Sequence, residues 1–119
     1  MILNIDVNHI TIQVELIPSS STEALEELLR KGPLTLSMKD YAHMEKFGDL
    51  GACLPRNDQH ITTKAGDVIL SEGNLLVIYY APNTWNFTRL GRVTNMTENE
   101  LKNVLGKGNI TATLTLHAE

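Results

Sequence analysis

Residues 3–16, LNIDVNHITIQVEL, form the stretch that decides the fold. Apolar side chains occupy every second position on both sides of Asn8 and His9. This period of two is typical of strands that have one buried face and one wet face. Asparagine tolerates positive φ better than most residues, so Asn8 predicts a tight hairpin between two strands.

Further strands follow from the rest of the chain. Alternation returns at residues 34–38 and again at residues 110–117, near the carboxyl end. Residues 71–74 form a polar tetrad that suits a hairpin loop. This loop joins a strand at residues 68–70 to residues 75–80, whose apolar character predicts burial on both faces.

Helical spacing replaces alternation in only two segments, residues 20–31 and 97–105. Each begins with a residue pair at capping-box spacing, Ser20 with Glu23 and Thr97 with Glu100. Many short strands with two short helices predict an all-β fold, and closure into a barrel removes exposed sheet edges. The 119 residues suit a single domain that covers positions 1–119.

Composition excludes several classes of partner. The net charge of −4 argues against nucleic acid and anionic membranes. One cysteine rules out an internal disulfide and suits a reducing compartment. The longest apolar run, residues 75–81, is far shorter than the ~20 residues of a spanning helix. The amino terminus lacks the apolar stretch of a signal peptide, so we expect a soluble, cytoplasmic protein.

Six segments carry a resemblance to a known family: DY at 40–41, EKFGDL at 45–50, LP at 54–55, AGDV at 65–68, GNLLVIYY at 73–80 and FTRLGRV at 87–93. Their order resembles the cyclophilin barrel. More closely, the chain is similar to a bacterial and archaeal family of small cyclophilin-like proteins of largely unknown function. The resemblance implies a closed eight-stranded cyclophilin-like β-barrel with helices over its ends.

The chain departs from the prolyl isomerases among the cyclophilins. Those enzymes carry a Phe-His-Arg strand and a glutamine-phenylalanine-phenylalanine stretch, and neither occurs here. No catalytic residue is therefore carried over, since a fold alone does not deliver chemistry. A peptidyl-prolyl isomerase that uses Arg89 or Arg92 instead stays the alternative. An isomerisation assay on a proline tetrapeptide tests it, and an unchanged rate at micromolar protein would remove it.

Residues 40–60 lack clear periodicity and hold many charged side chains, which predicts a long loop. The favoured interpretation is an ordered cover, with Phe47, Leu50 and Leu54 plugging the barrel end. A functional loop is the other interpretation. His43, Glu45, Cys53 and His60 lack a recognised zinc spacing, so no metal and no cofactor are predicted. Cys53 is expected to be a small buried hydrophobic residue.

The second candidate segment, residues 79–89, contains four of the six aromatic residues. Tyr79 and Tyr80 should face opposite ways, one inward and one outward. Arg89 should share a face with Phe87 if the segment is extended. An aromatic wall beside a guanidinium suits a peptide or a small carboxylate ligand. Core packing is the alternative, and for Trp85 the choice between site and core stays open.

The leading functional hypothesis is a module that binds a small molecule or a peptide. Its predicted site residues are Tyr41, Glu45, Lys46, Asp49, Tyr80, Trp85, Phe87 and Arg89. The isomerase is the enzymatic rival. A third hypothesis, implied by the resemblance, is an interaction domain with a flavodoxin-like redox partner.

Overall fold

The computed structural model describes residues 1–106 and 108–117, which contain nine strands and two helices. In chain order these are β1 Ile2–Val7, β2 Ile10–Leu16, α1 Ser20–Arg30, β3 Leu34–Tyr41, β4 Glu45–Asp49, β5 Gln59–Thr62, β6 Asp67–Ser71, β7 Leu75–Tyr79, β8 Thr84–Val93, α2 Glu98–Leu105 and β9 Ile110–Leu116.

Eight of the strands close into an antiparallel barrel, as predicted. Their order is β2-β1-β9-β3-β4-β7-β6-β8, and β8 pairs back onto β2. At this seam Val14 lies opposite Val93 and Leu16 opposite Gly91. The ninth strand, β5, pairs with the first half of β8 from Thr84 to Phe87. The strand β8 therefore serves both the barrel and a short ribbon beside it.

The hairpin predicted at Asn8 is confirmed. Asn8 and His9 adopt positive φ angles of 50° and 66°, and Val7 pairs with Ile10. Positive φ at both central residues is typical of the two-residue turns whose twist matches that of the flanking strands. The first step of the fold is thus local, because the turn sets the register that sends alternate apolar side chains of β1 and β2 into the core, whereas Ile10 stays 43% exposed.

Alternation along the strands builds two separate apolar clusters, one on each face of the barrel wall. The inner cluster fills the barrel and includes leucines from both helices, Leu25 and Leu29 of α1 and Leu101 and Leu105 of α2. The outer cluster contains Ile69, Val77, Tyr79 and Phe87, with Phe47, Ile61 and Leu75 packed against it. A filled interior is what an eight-stranded barrel is expected to have. Burial of β7 on both faces is confirmed.

The helix termini match the predictions except at the start of α1. Thr97 and Glu100 form the capping box of α2, and Gly106 ends it with φ of 63°. In α1 the capping box joins Ser19 and Thr22 instead of Ser20 and Glu23, so that prediction was wrong by one residue. Four consecutive hydroxyl residues leave the cap ambiguous in sequence. Packing of Leu25 and Leu29 into the barrel selects the register.

The predicted loop over residues 40–60 is wrong for its first half. Strand β3 extends to Tyr41, and β4 returns after a tight turn in which Ala42 and His43 have φ of 52° and 55°. Ala-His carries no glycine or asparagine signal for such a turn. In β4 the inward positions hold Lys46 and Gly48, so the strand shows no apolar alternation.

Four other side chains of residues 40–60 also had predicted positions. Leu50 and Leu54 join the inner cluster as expected, but Phe47 packs on the outer one. Cys53 is exposed rather than buried, because it lies in the irregular connection between β4 and β5. Within the described parts of the chain, none of the helices could cross a lipid bilayer.

Candidate functional site

A groove crosses the outer wall of the barrel and is lined by residues of β3, β4, β6, β7 and the first half of β8. Its volume is about 350 Å³. The lining residues are Tyr41, Met44, Glu45, Ser71, Tyr79, Asn83, Thr84, Trp85 and Phe87. A further depression of about 370 Å³ shares Tyr41, Glu45 and Ser71 with it and extends over Phe47 and Val77. We call this continuous surface the outer groove.

Aromatic side chains concentrate on this face. Five of the six, Tyr41, Phe47, Tyr79, Trp85 and Phe87, line the outer groove. Tyr79 and Phe87 form its buried floor, with ring centroids 5.6 Å apart. Tyr41 meets Phe47 edge to face, with centroids 6.5 Å apart. The strand period explains the grouping, because Trp85 and Phe87 are two residues apart on β8 and share a face.

Trp85 and Tyr41 form the rim of the outer groove. Trp85 is 64% exposed and Tyr41 is 58% exposed, although large aromatic residues are mostly buried in folded proteins. The question left open for Trp85 is thereby answered against core packing. Trp85 lies opposite Ile61 in the β5–β8 ribbon, which holds the indole beyond the barrel wall.

Among the described residues that line the outer groove, Glu45 is the one with a buried carboxyl group. Its residue exposure is 8%, and it lies opposite Tyr79 in the β4–β7 pairing. Burial raises the pKa of Glu45, the neighbouring Tyr79 hydroxyl lowers it, and the charge of Asp40 raises it further, with a net upward shift. None of the ion pairs formed among the described residues includes Glu45.

Replacement of Glu45 by glutamine should stabilise the protein at neutral pH. Because the folded-state pKa of Glu45 lies above its usual value near 4.5, its contribution to stability is fully present below that pH. The contribution is lost as pH rises through the raised folded-state pKa. The free energy of unfolding of Glu45→Gln, measured by urea unfolding, should therefore exceed that of the wild type increasingly as pH rises from about 4.5 through the raised folded-state pKa.

Glu27→Gln is the matched control for this experiment, since Glu27 is an exposed residue of α1 and its loss removes the same formal charge. A difference between wild type and Glu45→Gln that keeps one value across the pH range would contradict the interpretation. So would a lower free energy of unfolding for Glu45→Gln at neutral pH.

Two predicted site residues, Lys46 and Tyr80, lie on the opposite side of the wall, at the mouth of the barrel. Lys46 is 0% exposed, and its Nζ donates to Asp40 Oδ1 at 2.9 Å and to the Gly108 carbonyl at 2.7 Å. It also lies 5.7 Å from the centroid of the Tyr80 ring. The Tyr80 hydroxyl donates to the same Asp40 oxygen.

These contacts shift two pKa values in opposite directions. Burial raises the pKa of Asp40, but the hydrogen bonds from Tyr80 and Lys46 and the Lys46 charge outweigh it, and the net shift is downward. Burial and the Asp40 carboxylate raise the pKa of Tyr80. A cleft of about 420 Å³ opens beside this group, lined in part by Asp40, His43 and Lys102. The charges of Asp40 and Lys46 pair with each other. Glu45, in contrast, forms none of the ion pairs found among the described residues.

The remaining predicted residues, Asp49 and Arg89, do not line the outer groove. Asp49 Oδ1 accepts from the Gly51 amide at 2.8 Å in an exposed turn. Arg89 shares the outer face with Phe87, as expected, but its Nη2 lies 3.4 Å from Asp67 Oδ2. Arg92 Nη1 lies 2.5 Å from Asp67 Oδ1. Both arginines of the isomerase alternative are thus held by the fully buried Asp67, and that alternative stays a prediction.

The predicted site residues did not include five residues that line the 350 Å³ part of the outer groove: Met44, Ser71, Tyr79, Asn83 and Thr84. Asn83 Nδ2 donates to the Tyr79 hydroxyl at 3.1 Å and so orients the groove floor. Among residues 1–106 and 108–117, no three His, Cys, Asp or Glu side chains gather as metal ligands.

Comparison with known proteins identifies relatives of the fold. A family model described as the cyclophilin-like family matches residues 5–115. The solution structure of a hypothetical protein from Archaeoglobus fulgidus is similar, with a TM-score of 0.72, 12% identity, and coverage of 97% of this chain and 93% of that chain. No match to a curated protein was found.

A second similar structure is McbB in complex with tryptophan, with a TM-score of 0.66 and 18% identity. The alignment covers 98% of this chain but 45% of McbB, so the chain spans less than half the length of that protein. Identities this low carry the fold and no chemistry.

Proposed function

The chain belongs to the cyclophilin-like family, and from that premise we propose that it is a binding module. The outer groove would hold a small-molecule or peptide ligand against the floor of Tyr79 and Phe87. A pocket that is mostly apolar, with a few polar groups, is the usual form of a ligand site. A volume of about 350 Å³ is within the range of such pockets.

The observation that carries this proposal is the exposure of Trp85 on the rim of a groove whose floor is aromatic. An exposed indole contributes little to folding, whereas it offers a large, rigid contact surface to a ligand. Tyr41 repeats the arrangement on the other rim. Burial of these two rings on binding would supply affinity that the free protein does not use.

Both ligand classes agree with this geometry. A structural neighbour, McbB, was solved in complex with tryptophan, which supports a small molecule as one of the two ligand classes. An extended peptide would suit the elongation of the outer groove over Phe47 and Val77. The flavodoxin-like partner stays a prediction, with no contact here that favours it over a ligand.

Screening with peptides and metabolites tests the proposal. Trp85 is the only tryptophan, so its fluorescence reports on the rim of the outer groove alone. A ligand should change this emission and raise the melting temperature, because a molecule that binds only the folded state stabilises it. If broad screens give neither response, the proposed function is wrong.

Trp85→Ala should separate binding from folding. Because the indole is mostly exposed, the free energy of unfolding should change by no more than about 0.5 kcal/mol. Affinity for any ligand found by the screen should fall by about 2 kcal/mol, as expected for an aromatic anchor. Calorimetric titration and urea unfolding measure the two quantities.

Ile10→Ala is the matched control for Trp85→Ala, since Ile10 is 43% exposed in β2 and does not line the outer groove. It should leave affinity unchanged. Equal affinity of Trp85→Ala and the wild type would place the ligand elsewhere.

A further inference from the structure

The charged side chains that line the outer groove, among the described residues, are all acidic. Glu45 is the buried carboxyl of the groove, and Glu72 adds a second carboxyl at the extension over Phe47. The titratable groups that interact with Glu45 or with its neighbour Tyr79 are Asp40, Tyr79, Tyr80 and Tyr41. None of them carries a positive charge. No lysine or arginine lines the outer groove among the described residues.

Lys46 is the cationic residue nearest to Glu45 in the sequence, but its side chain points to the other face of the barrel wall. Lys46 follows Glu45 directly, but successive side chains of a strand point to opposite faces. Lys46 lies opposite Ile78 of the inner cluster, whereas Glu45 lies opposite Tyr79 of the outer one. The Lys46 ammonium is bound inside by Asp40 and Gly108. The wall of the barrel therefore separates the two charges.

A buried carboxylate without a cation is unfavourable, because burial removes it from water and the Tyr79 hydroxyl restores only part of the lost interaction. Such an arrangement is costly for folding, which is expected of a group that serves binding. Glu45 sits among aromatic rings, and aromatic faces attract cations. Ring faces and a carboxylate together are the elements of a site for a positively charged nitrogen.

We propose that the ligand of the outer groove carries a cationic nitrogen, an amine or a guanidinium, on an apolar or aromatic framework. The framework packs on Tyr79, Phe87 and Trp85, and the cation pairs with Glu45. This proposal rests on the proposed function and names the chemistry of its ligand. Anionic molecules are selected against, since a second negative charge beside Glu45 would be repelled.

Three probes that share a phenylethyl group and end in a cationic, a neutral or an anionic group test the proposal: 2-phenylethylamine, 2-phenylethanol and 3-phenylpropionate. Each is titrated into ¹⁵N-labelled full-length protein at neutral pH, and the resonances of the Trp85 indole N–H and the Glu45 and Tyr79 amides are followed. The amine should bind at least about tenfold more tightly than the alcohol, as expected for a hydrogen bond to a charged group. The anion should bind most weakly.

Glu45→Gln should remove this preference, so that the amine and the alcohol bind within about twofold of each other. Glu27→Gln should keep the wild-type preference, because it removes the same charge from an exposed position on α1. Equal binding of the amine and the alcohol to the wild type would overturn the cation proposal and leave the binding groove intact. Absence of binding by all three probes would also overturn it, whereas failure of the proposed function would appear as a library without any Trp85 response.

Discussion

Gly91→Ala should destabilise the protein by at least about 3 kcal/mol, because it forces apart the seam that closes the barrel. A Cβ at Gly91 would lie 2.2 Å from the Glu15 carbonyl oxygen and 3.0 Å from Val14 Cγ1. The obstructing atoms belong to the backbone of β2, which pairs with β8 here over only three residues on each strand. Neither strand can shift without loss of that pairing. Urea unfolding measures the change.

Gly48→Ala is the matched comparison, since Gly48 is also a buried strand glycine. Its Cβ would meet the flexible end of Met38 at 3.0 Å and the Ser37 carbonyl at 3.2 Å. Because a methionine side chain can move, we expect a loss of about 1 kcal/mol. Equal losses for the two variants would show that the β2–β8 seam is no more rigid than the rest of the wall.

Lys46→Met should lower the free energy of unfolding by about 3 kcal/mol. The variant leaves the Asp40 carboxylate and the Gly108 carbonyl without the ammonium that both of them now bind. The loss is expected at the low end of the range for broken buried pairs, because the Asp40 side chain is still 15% exposed and water reaches it. The hydrogen bond from Tyr80 to Asp40 remains.

The double variant Asp40→Asn/Lys46→Met identifies the physical origin of that loss. Asparagine keeps an acceptor for Tyr80 but carries no charge, so the double variant should be more stable than Lys46→Met alone. If the double variant is as unstable as the sum of the single variants, the two side chains do not act as a pair. Both variants leave the outer groove unchanged, and probe binding provides the check that the fold persists.

The sequence alone predicted those features of the fold that are caused by residues close together in the chain. Asn8-His9 predicts its turn because asparagine tolerates positive φ, and the flanking alternation then has one consistent register. Thr97 and Glu100 predict the start of α2 because the cap is made by residues three positions apart. Closure of the strands into a barrel came from the resemblance, which the family match confirms.

The strand β4 escaped prediction because its inward positions hold a lysine and a glycine. Lys46 is tolerated there only because Asp40 on the paired strand β3 and Gly108, 62 residues further along the chain, both bind it at the barrel mouth. A pattern of apolar residues cannot reveal a strand whose buried charge is satisfied by other strands.

The candidate site, too, was predictable from the sequence only in part. Trp85 and Phe87 share a face by their spacing alone, so an aromatic surface on β8 was within reach of the sequence. Tyr80 was predicted to belong to the same surface. It directly follows Tyr79, however, so its side chain points to the opposite face and lies inside the barrel. The partnership of Glu45 with that surface depends on its register with Tyr79 across two strands.

By itself the sequence determined the β-rich fold, the first hairpin, the position of two short helices and an aromatic segment near β8. These features depend on contacts between near neighbours along the chain, so a short window contains their cause. Only the tertiary structure decided which face each of Glu45, Lys46 and Tyr80 occupies and which charges find partners. Those outcomes depend on registers between strands far apart in the chain, and a shift of one residue in any of them would exchange the inside of the barrel for the outside.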